Sequence, residues 1–509
     1  MIQSIAITMI QTAVLAATGP GIEAARSFRS ANEPTILNEF AQLLAIPNVS
    51  GDLPSVQRNA EFIVHAFSQR GVKLDVLTVP NAAPIVVGEI RAPGASRTIG
   101  IYVHYDGQPV DAERWTNSPW TPTLYTGPID EGGARRPLPK PGERVDPEWR
   151  LYARSAGDDK APLIALLAAL DALQSANIPI TSNIKFLFEG EEEAGSIHLG
   201  DYFAKYGEQL KADVWLICDG PVHQSRRPQL VFGVRGVTSL EITVYGANRF
   251  LHSGHYGNWS PNPALMLAKL LASMKDESGR VAIEGFYEDV QPLSSTERAA
   301  LEEVPNVDDQ LRSQFGLAGS EMDGTSLAES LLLPSLNIKG FESGAVGAKA
   351  RNVIPSTATA ALDIRLVKDN DPQTMLDRVE VHIQKQGYVI VRDSPDDQLR
   401  RTHRKIARIT RGAGYRAARS SMDLPIVQPL LETARQAIDD DDVILMPSLG
   451  GSLPLYLFEE MLGTPTIIVP IANHDNNQHG PDENIRLANL WYGIDLMAGI
   501  LTMQDFPEP

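Results

Sequence analysis

Apolar strands alternate with helical segments up to about residue 235, and this style returns after about residue 412. Between them the chain changes to longer alternating strands and helices. These two observations predict an α/β protein with a mostly parallel central sheet flanked by helices, interrupted by an inserted α+β domain. The expected division is 26–235 and 413–509 for the main domain and 236–412 for the insertion. A chain of 509 residues is also longer than one core ordinarily fills.

Taken in order, residues 1–22 carry no charge, and the run Ala13-Val-Leu-Ala-Ala17 resembles the apolar end of a secretory signal. The basic segment that normally precedes such a run is missing, the first basic residue being Arg26. Polar Gln3, Gln11 and Thr12 argue against a permanent membrane span. Residues 1–25 therefore read as a signal peptide or a disordered tail. The first reading makes the protein periplasmic or secreted, the second cytoplasmic.

Ile36, Leu37, Phe40, Leu43, Leu44 and Ile46 recur at helical spacing, which predicts a helix over 33–49 stopped by Pro47. A second helix is expected over 55–70, ended by Gly71. Strands follow at 85–90 and 99–103. The Pro-, Gly- and Trp-rich stretch 107–150 reads as a long ordered loop. A helix over 160–173 leads to strands at 183–188 and 214–218, the latter ending at Asp219. In the insertion, Leu240, Ile242 and Val244 alternate along 237–245, and a second alternating strand covers 358–366. A helix over 425–438 and a strand over 466–470 restore the first style.

The apolar fraction of 43% and charged fraction of 21% are those of a soluble globular protein. A net charge of −18 excludes non-specific binding to nucleic acid or anionic membranes, while a small anionic substrate stays open. The single cysteine, Cys218, excludes intrachain disulfides and multi-thiolate zinc sites.

The chemistry gathers around Phe186-Leu-Phe-Glu-Gly-Glu-Glu-Glu-Ala-Gly-Ser196, where a strand delivers three consecutive glutamates to its end. Adjacent carboxylates repel, and a bound cation relieves that repulsion while a neighbour left off the metal acts as a base. His104-Tyr-Asp106 follows another strand, and residues two apart on extended backbone point the same way, so Asp106 can orient His104. Arg154-Ser-Ala-Gly-Asp-Asp-Lys160 places acidic residues where a helix begins. Asp219 ends an apolar strand, and Asn473-His-Asp-Asn-Asn-Gln-His479 offers His474 and His479 in a polar loop. Strand ends of open α/β sheets are where ligands collect. A set of carboxylates and imidazoles without sulfur suits zinc or a similar divalent ion. Two ions sharing a carboxylate activate water for hydrolysis.

These motifs, in this order, resemble the di-zinc metallopeptidase family of carnosinase, bacterial dipeptidases, glutamate carboxypeptidase, aminoacylase and the acetylornithine and succinyl-diaminopimelate deacylases. The resemblance extends from about residue 35 to the end. It is strongest to the carnosinase-like branch, through Leu151-Tyr-Ala-Arg-Ser-Ala-Gly-Asp-Asp-Lys-Ala-Pro162, Leu251-His-Ser-Gly254, Asn352-Val-Ile-Pro355, Ile364-Arg-Leu-Val367 and Gly450-Gly-Ser-Leu-Pro454. It implies two Zn2+ ions, with Co2+ or Mn2+ as substitutes. His104 and Asp219 would bind one ion, Glu193 and His479 the other, and Asp158 both, with a cis peptide bond from Asp158 to Asp159. Glu192 would be the general base and Asp106 the partner of His104, while Glu191 is left to solvent.

By the same resemblance the insertion is a lid and dimerisation domain, and the protein a homodimer. His252 would stabilise the oxyanion, often in the partner's site. Arg365, Asn352 and the Gly450-Gly451-Ser452 turn would hold the substrate's carboxylate. The implied activity is cleavage of the amide bond of a dipeptide or small peptide. An N-acyl amino acid deacylase with the same di-metal site is the alternative. This chain has Ala153-Arg154-Ser155 where the family has Gly-Arg-Gly, and Ala161 replaces the glycine after the lysine. It also has Ser448-Leu449 where relatives often carry a charged pair, a departure that bears on substrate preference.

Overall fold

The computed structural model describes residues 18–506 apart from 323, 441 and 505. The main domain is built on an eight-stranded sheet. Its order is Leu74–Leu77, Ile85–Ile90, Asn183–Glu189, Thr98–His104, Val214–Ile217, Thr466–Ile468, Gln229–Val231, Ile444–Met446. Asn183–Glu189, Thr98–His104, Val214–Ile217 and Thr466–Ile468 pair in parallel. Leu74–Leu77 and Ile85–Ile90 extend the sheet antiparallel at one edge. The four parallel strands end on the same side of the sheet, which is what brings their terminal residues together.

Both faces of this sheet are covered, so its strands read as nearly continuous apolar runs. Ile99, Ile101, Val103, Phe186 and Phe188 face the core formed with helices Pro20–Leu44, Ala161–Ser175 and Leu487–Thr502. Tyr102, Leu187, Trp215 and Ile217 face the opposite core with Phe203 and Phe458.

The first helix starts at Pro20, well before the expected 33. Glu33-Pro34 looks like a helix start because proline suits the first turn. Here Pro34 lies inside the helix, and burial of Gly21, Ile22 and Ala25 outweighs the hydrogen bond it forfeits. Ile22 packs at Gly499 of the last helix. Arg26 binds Asp439 at 2.7 Å and Asp495 at 2.9 Å. Residues 20–25 are thus helix and core rather than tail, and residues 1–17, the rest of the expected export segment, lie outside the described residues. Among the described residues no helix is long and apolar enough to cross a membrane.

The stretch 107–150 is more than a loop. Thr123–Tyr125 and Arg135–Arg136 form a four-stranded sheet with Arg150–Tyr152 and Asn484–Arg486. Strands this short leave no readable period, and Arg150 and Asn484 are 334 positions apart.

The insertion is a five-stranded sheet ordered Ser335–Glu342, Thr357–Leu366, Gly236–Tyr245, Ile406–Arg411, Val389–Val391. It is antiparallel except for the last pair. Alternate residues of Thr357–Leu366 are buried. With Leu240, Ile242 and Val244 they form a second core under helices Pro263–Ala272 and Pro372–Lys385.

Phe40 is fully buried in the first core. Phe40→Ala is expected to cost about 3–5 kcal/mol, read as a lower urea midpoint for main-domain unfolding at unchanged slope.

Candidate metal centre and active site

Register sets the site. His104 pairs with Glu189 in the parallel ladder, so the turn carrying Glu191–Glu193 runs beside Tyr105–Gly107. The Cys218 N–H donates to Tyr102 and the Val222 N–H to Ala472, which brings Asp219 and the 472–479 loop to the same place. The buried His104 Nε2 lies 2.8 Å from Asp158 Oδ1 and 3.9 Å from both Asp219 Oδ2 and Glu192 Oε2. Asp158 Oδ2 lies 3.1 Å from His479 Nε2, itself 3.2 Å from Glu193 Oε2. Donor atoms within 4.8 Å of one another form two groups: His104, Asp159 and Asp219, and Asp158, Glu193 and His479. Asp158 turns one oxygen to a histidine of each group. The Asp158–Asp159 peptide bond is cis.

Asp106 is buried 3.5 Å from His104 Nδ1. It also accepts from the N–H groups of Glu192 at 3.1 Å and Glu193 at 3.0 Å. One carboxylate therefore orients the histidine and fixes the glutamate turn, the second role being invisible in a His-x-Asp motif. Gln108 Nε2 donates to Glu193 Oε2 at 2.8 Å.

The loop bearing Asp158 hangs on Glu483, which sequence reasoning missed. Fully buried, Glu483 accepts from Arg154 Nη1 at 2.6 Å and the Ser155 N–H at 3.0 Å through Oε2. Its Oε1 accepts from the N–H groups of Gly157 and Asp158, both at 3.0 Å. The Arg154 guanidinium lies 5.1 Å from the Trp115 ring. A Cβ on Gly107 would meet Ser155 Oγ at 2.5 Å, so a larger residue there would displace the Ser155 side chain. Lys160, which follows the loop, is buried and donates to the carbonyls of Leu43 and Ile46, both at 3.1 Å, closing the end of the first helix.

Burial pushes Glu193 up to about 8 and Asp219 up to about 6, and neighbouring carboxylates add to both. Burial likewise drives Glu192 and Asp159 well above the carboxylate range. Asp158 goes the other way, because His104 and His479 outweigh the effect of burial. Too many carboxylates crowd two imidazoles for all to ionise unaided. Divalent cations are the natural remedy, and the sulfur-free donor set fits zinc or a similar ion.

The remaining candidates divide. Arg365 Nη1 donates to Ser452 Oγ at 2.8 Å and its Nε to Asp363 at 3.1 Å. The Gly451 carbonyl accepts from the Arg235 N–H at 3.0 Å. Tyr415 donates its hydroxyl to the Ser452 carbonyl at 2.9 Å, and its hydroxyl is pushed up by burial and by Glu192, setting this turn beside the cluster. His252 and Asn352 are not brought into the buried cluster. They sit together on an exposed ribbon of the insertion, the Ser253 N–H donating to Asn352 and the His252 ring packed on His255.

Two expectations change. Glu191 is not left to solvent: it is half-buried, 2.8 Å from His198 Nδ1, and accepts the His198 N–H where the next helix begins. Asp159, unassigned from sequence, is buried with His104 and Asp219. Nothing in the sequence distinguishes Glu483 from an ordinary loop acid, since its partners lie about the Asp158 turn.

Glu483→Gln keeps the shape but leaves Arg154 unpaired and only one oxygen for the loop N–H groups. Breaking such a pair costs about 3–5 kcal/mol. Zinc affinity is expected to fall about 10–100-fold, measured by competition with a chromophoric chelator. Unchanged affinity and Tm would remove Glu483 from the positioning of Asp158.

Comparison with known proteins bears on the same residues. The model of peptidase family M20/M25/M40 matches residues 100–503. The chain is 27% identical to the Cys-Gly metallodipeptidase of Schizosaccharomyces pombe, over 91% of this chain and 94% of that protein. It is 25% identical to the Beta-Ala-His dipeptidase of Homo sapiens, over 82% of this chain and 76% of that one. The crystal structure of an M20 family metallo-carboxypeptidase from Sulfolobus solfataricus superposes with a TM-score of 0.73 at 28% identity, covering 92% of this chain and 98% of the other. The family match starts within the strand that ends at His104 and runs past His479, so it takes in both donor groups, the Glu192 turn and the whole insertion: the chain belongs to peptidase family M20/M25/M40.

Proposed function

We propose that this protein is a metal-dependent dipeptidase, cleaving the amide bond of dipeptides or small peptides that carry a free carboxylate. The observation that carries this reading is the position of Glu192. Its carboxylate lies 3.9 Å from His104 Nε2 yet belongs to neither donor group, and Asp106 fixes its backbone. Asp106 is also outside the donor groups but its carboxylate is taken up by backbone N–H groups, which leaves Glu192 as the carboxylate placed to act as general base. The relatives' names point to dipeptides rather than acylated amino acids.

In this reading His104 and Asp219 would hold one Zn2+, Glu193 and His479 a second, and Asp158 would serve both, with Co2+ or Mn2+ as substitutes. When bound, the ions polarise the scissile carbonyl and acidify a water molecule. Glu192 takes a proton from the attacking water molecule and returns it to the leaving amine nitrogen. Arg365, steadied by Asp363 and Ser452, receives the terminal carboxylate through its forked donors, with the N–H groups of Gly451 and Ser452 beside it.

The insertion supplies the remaining part. Phe250, Trp259 and Val346 are 60%, 79% and 89% exposed, respectively. They give the insertion apolar exterior groups that an association surface would cover. Pairing of two chains through residues 236–412 makes a homodimer in which the ribbon bearing His252 and Asn352 reaches the partner's site. His252 then stabilises the oxyanion, and Asn352 joins Arg365 at the carboxylate.

Free dipeptides are expected to be cleaved only with metal present. Glu192→Ala should lower kcat by about 10²–10⁴-fold with bound zinc unchanged, and turnover confined to N-acyl amino acids would overturn the dipeptidase reading. Mixing inactive His252→Ala with inactive Glu192→Ala is expected to restore about a quarter of wild-type activity, since half the dimers are mixed and each has one intact site. No recovery after subunit exchange would place His252 outside the partner's site.

A further inference from the structure

Beyond Asp219 the chain continues as Gly220-Pro-Val-His223, and residues 221–223 line a cavity of about 910 Å³. The far side is closed by residues 290–308 and 324–333 of the insertion. A cavity of this volume is the size that ordinarily encloses a small ligand. Its end nearest the metal centre is apolar. A Cβ on Gly220 would lie 3.5 Å from Leu449 Cδ1, and one on Gly450 3.0 Å from Leu331 Cδ2. Leu449 and Leu331, both half-exposed, therefore stand between the residue after Asp219 and the turn that leads to Ser452. The buried Val222 continues the wall.

Of the charged groups in the described lining, Arg298 donates to the Leu293 carbonyl and Glu302 is exposed. Asp308 accepts the Leu327 N–H at 3.2 Å, and the exposed Glu329 accepts the Ser326 N–H at 2.8 Å. His223 is bonded to Ser225 at 2.9 Å, and burial with the nearby Arg227 holds its imidazole down to about 4, so it is neutral at pH 7.

We propose that this cavity is the subsite for the side chain of the substrate's amino-terminal residue, that it selects large apolar side chains, and that Leu331 and Leu449 set that preference. The inference rests on the dipeptidase reading. A dipeptide with its carboxylate at Arg365 and its scissile carbonyl at the metal-binding groups has its amino-terminal residue on the side away from Arg365, and the cavity lined from Pro221, two residues past Asp219, offers the space for that side chain. The occupant is apolar because the wall beside Asp219 is made by Leu449, Leu331 and Val222.

The experiment compares kcat/KM for Ala-Gly, Leu-Gly, Phe-Gly and Lys-Gly with zinc-loaded wild type, Leu331→Trp and Leu449→Glu, each checked for folding by circular dichroism. Added apolar groups in such a pocket are worth about 10–200-fold, so wild type is expected to favour Leu-Gly and Phe-Gly over Ala-Gly by at least about tenfold. Leu331→Trp fills the cavity and should lower the Phe-Gly to Ala-Gly ratio by about tenfold or more. Leu449→Glu should raise Lys-Gly relative to Leu-Gly, an independent reading should the tryptophan variant not fold. Equal wild-type rates on Ala-Gly and Phe-Gly, or ratios unmoved in both folded variants, would overturn the subsite while leaving the dipeptidase reading intact. Failure to cleave any dipeptide would overturn that reading and this one with it.

Discussion

The crowding of Asp158, Asp159, Glu192, Glu193 and Asp219 around His104 and His479 is the constraint on which the rest of this structure depends. Two unit charges 4 Å apart repel by about 4 kcal/mol at an effective dielectric near 20. A fold that gathers several such groups must offset their repulsion elsewhere, and a bound cation would make them compatible. The parallel strands do the gathering, since each ends on the same side of the sheet and delivers one of these residues or the loop that carries it.

Holding the groups in place falls to a layer of buried polar residues behind them. Asp106 and Glu483 work alike: each is a buried carboxylate that accepts two or more backbone N–H groups from the turn it fixes. Glu483 adds the Arg154 ion pair, and Arg154 rests against Trp115. Asn48 donates to Tyr105 at 2.7 Å and Ser155 at 2.9 Å, and Lys160 ties the same region to the end of the first helix. The loop bearing Asp158 is thus anchored to residues that precede the insertion, such as Asn48 and Leu43, and to Glu483, which follows it.

The insertion contributes in two ways that its own core does not require. Residues 290–308 and 324–333 roof the cavity beside Asp219, and the exposed ribbon carrying His252 and Asn352 extends away from the buried cluster. A centre whose donor groups come entirely from the main domain is thereby given a wall by the insertion. Substrate choice then lies with residues such as Leu331 and Leu449, chemically separate from the metal ligands.

The α/β class and the inserted α+β domain were legible in the sequence because apolar periodicity marks strands and helices. His104, Glu193 and Asp219 at or just past strand ends, His479 in a loop and Asp158 where a helix begins were grouped only through the family resemblance. Long-range pairing was not legible. The helix extending back to Pro20, the strands hidden in 107–150 and the placement of Glu483 all depend on partners hundreds of residues away, and no local pattern records a contact made only when the chain is folded. The run of three glutamates shows the same division most sharply. Sequence alone established that a strand ends in acids; the parallel register beside His104 and the Asp106 hydrogen bonds decided where each one points, because direction at a turn is set by what the turn is tied to.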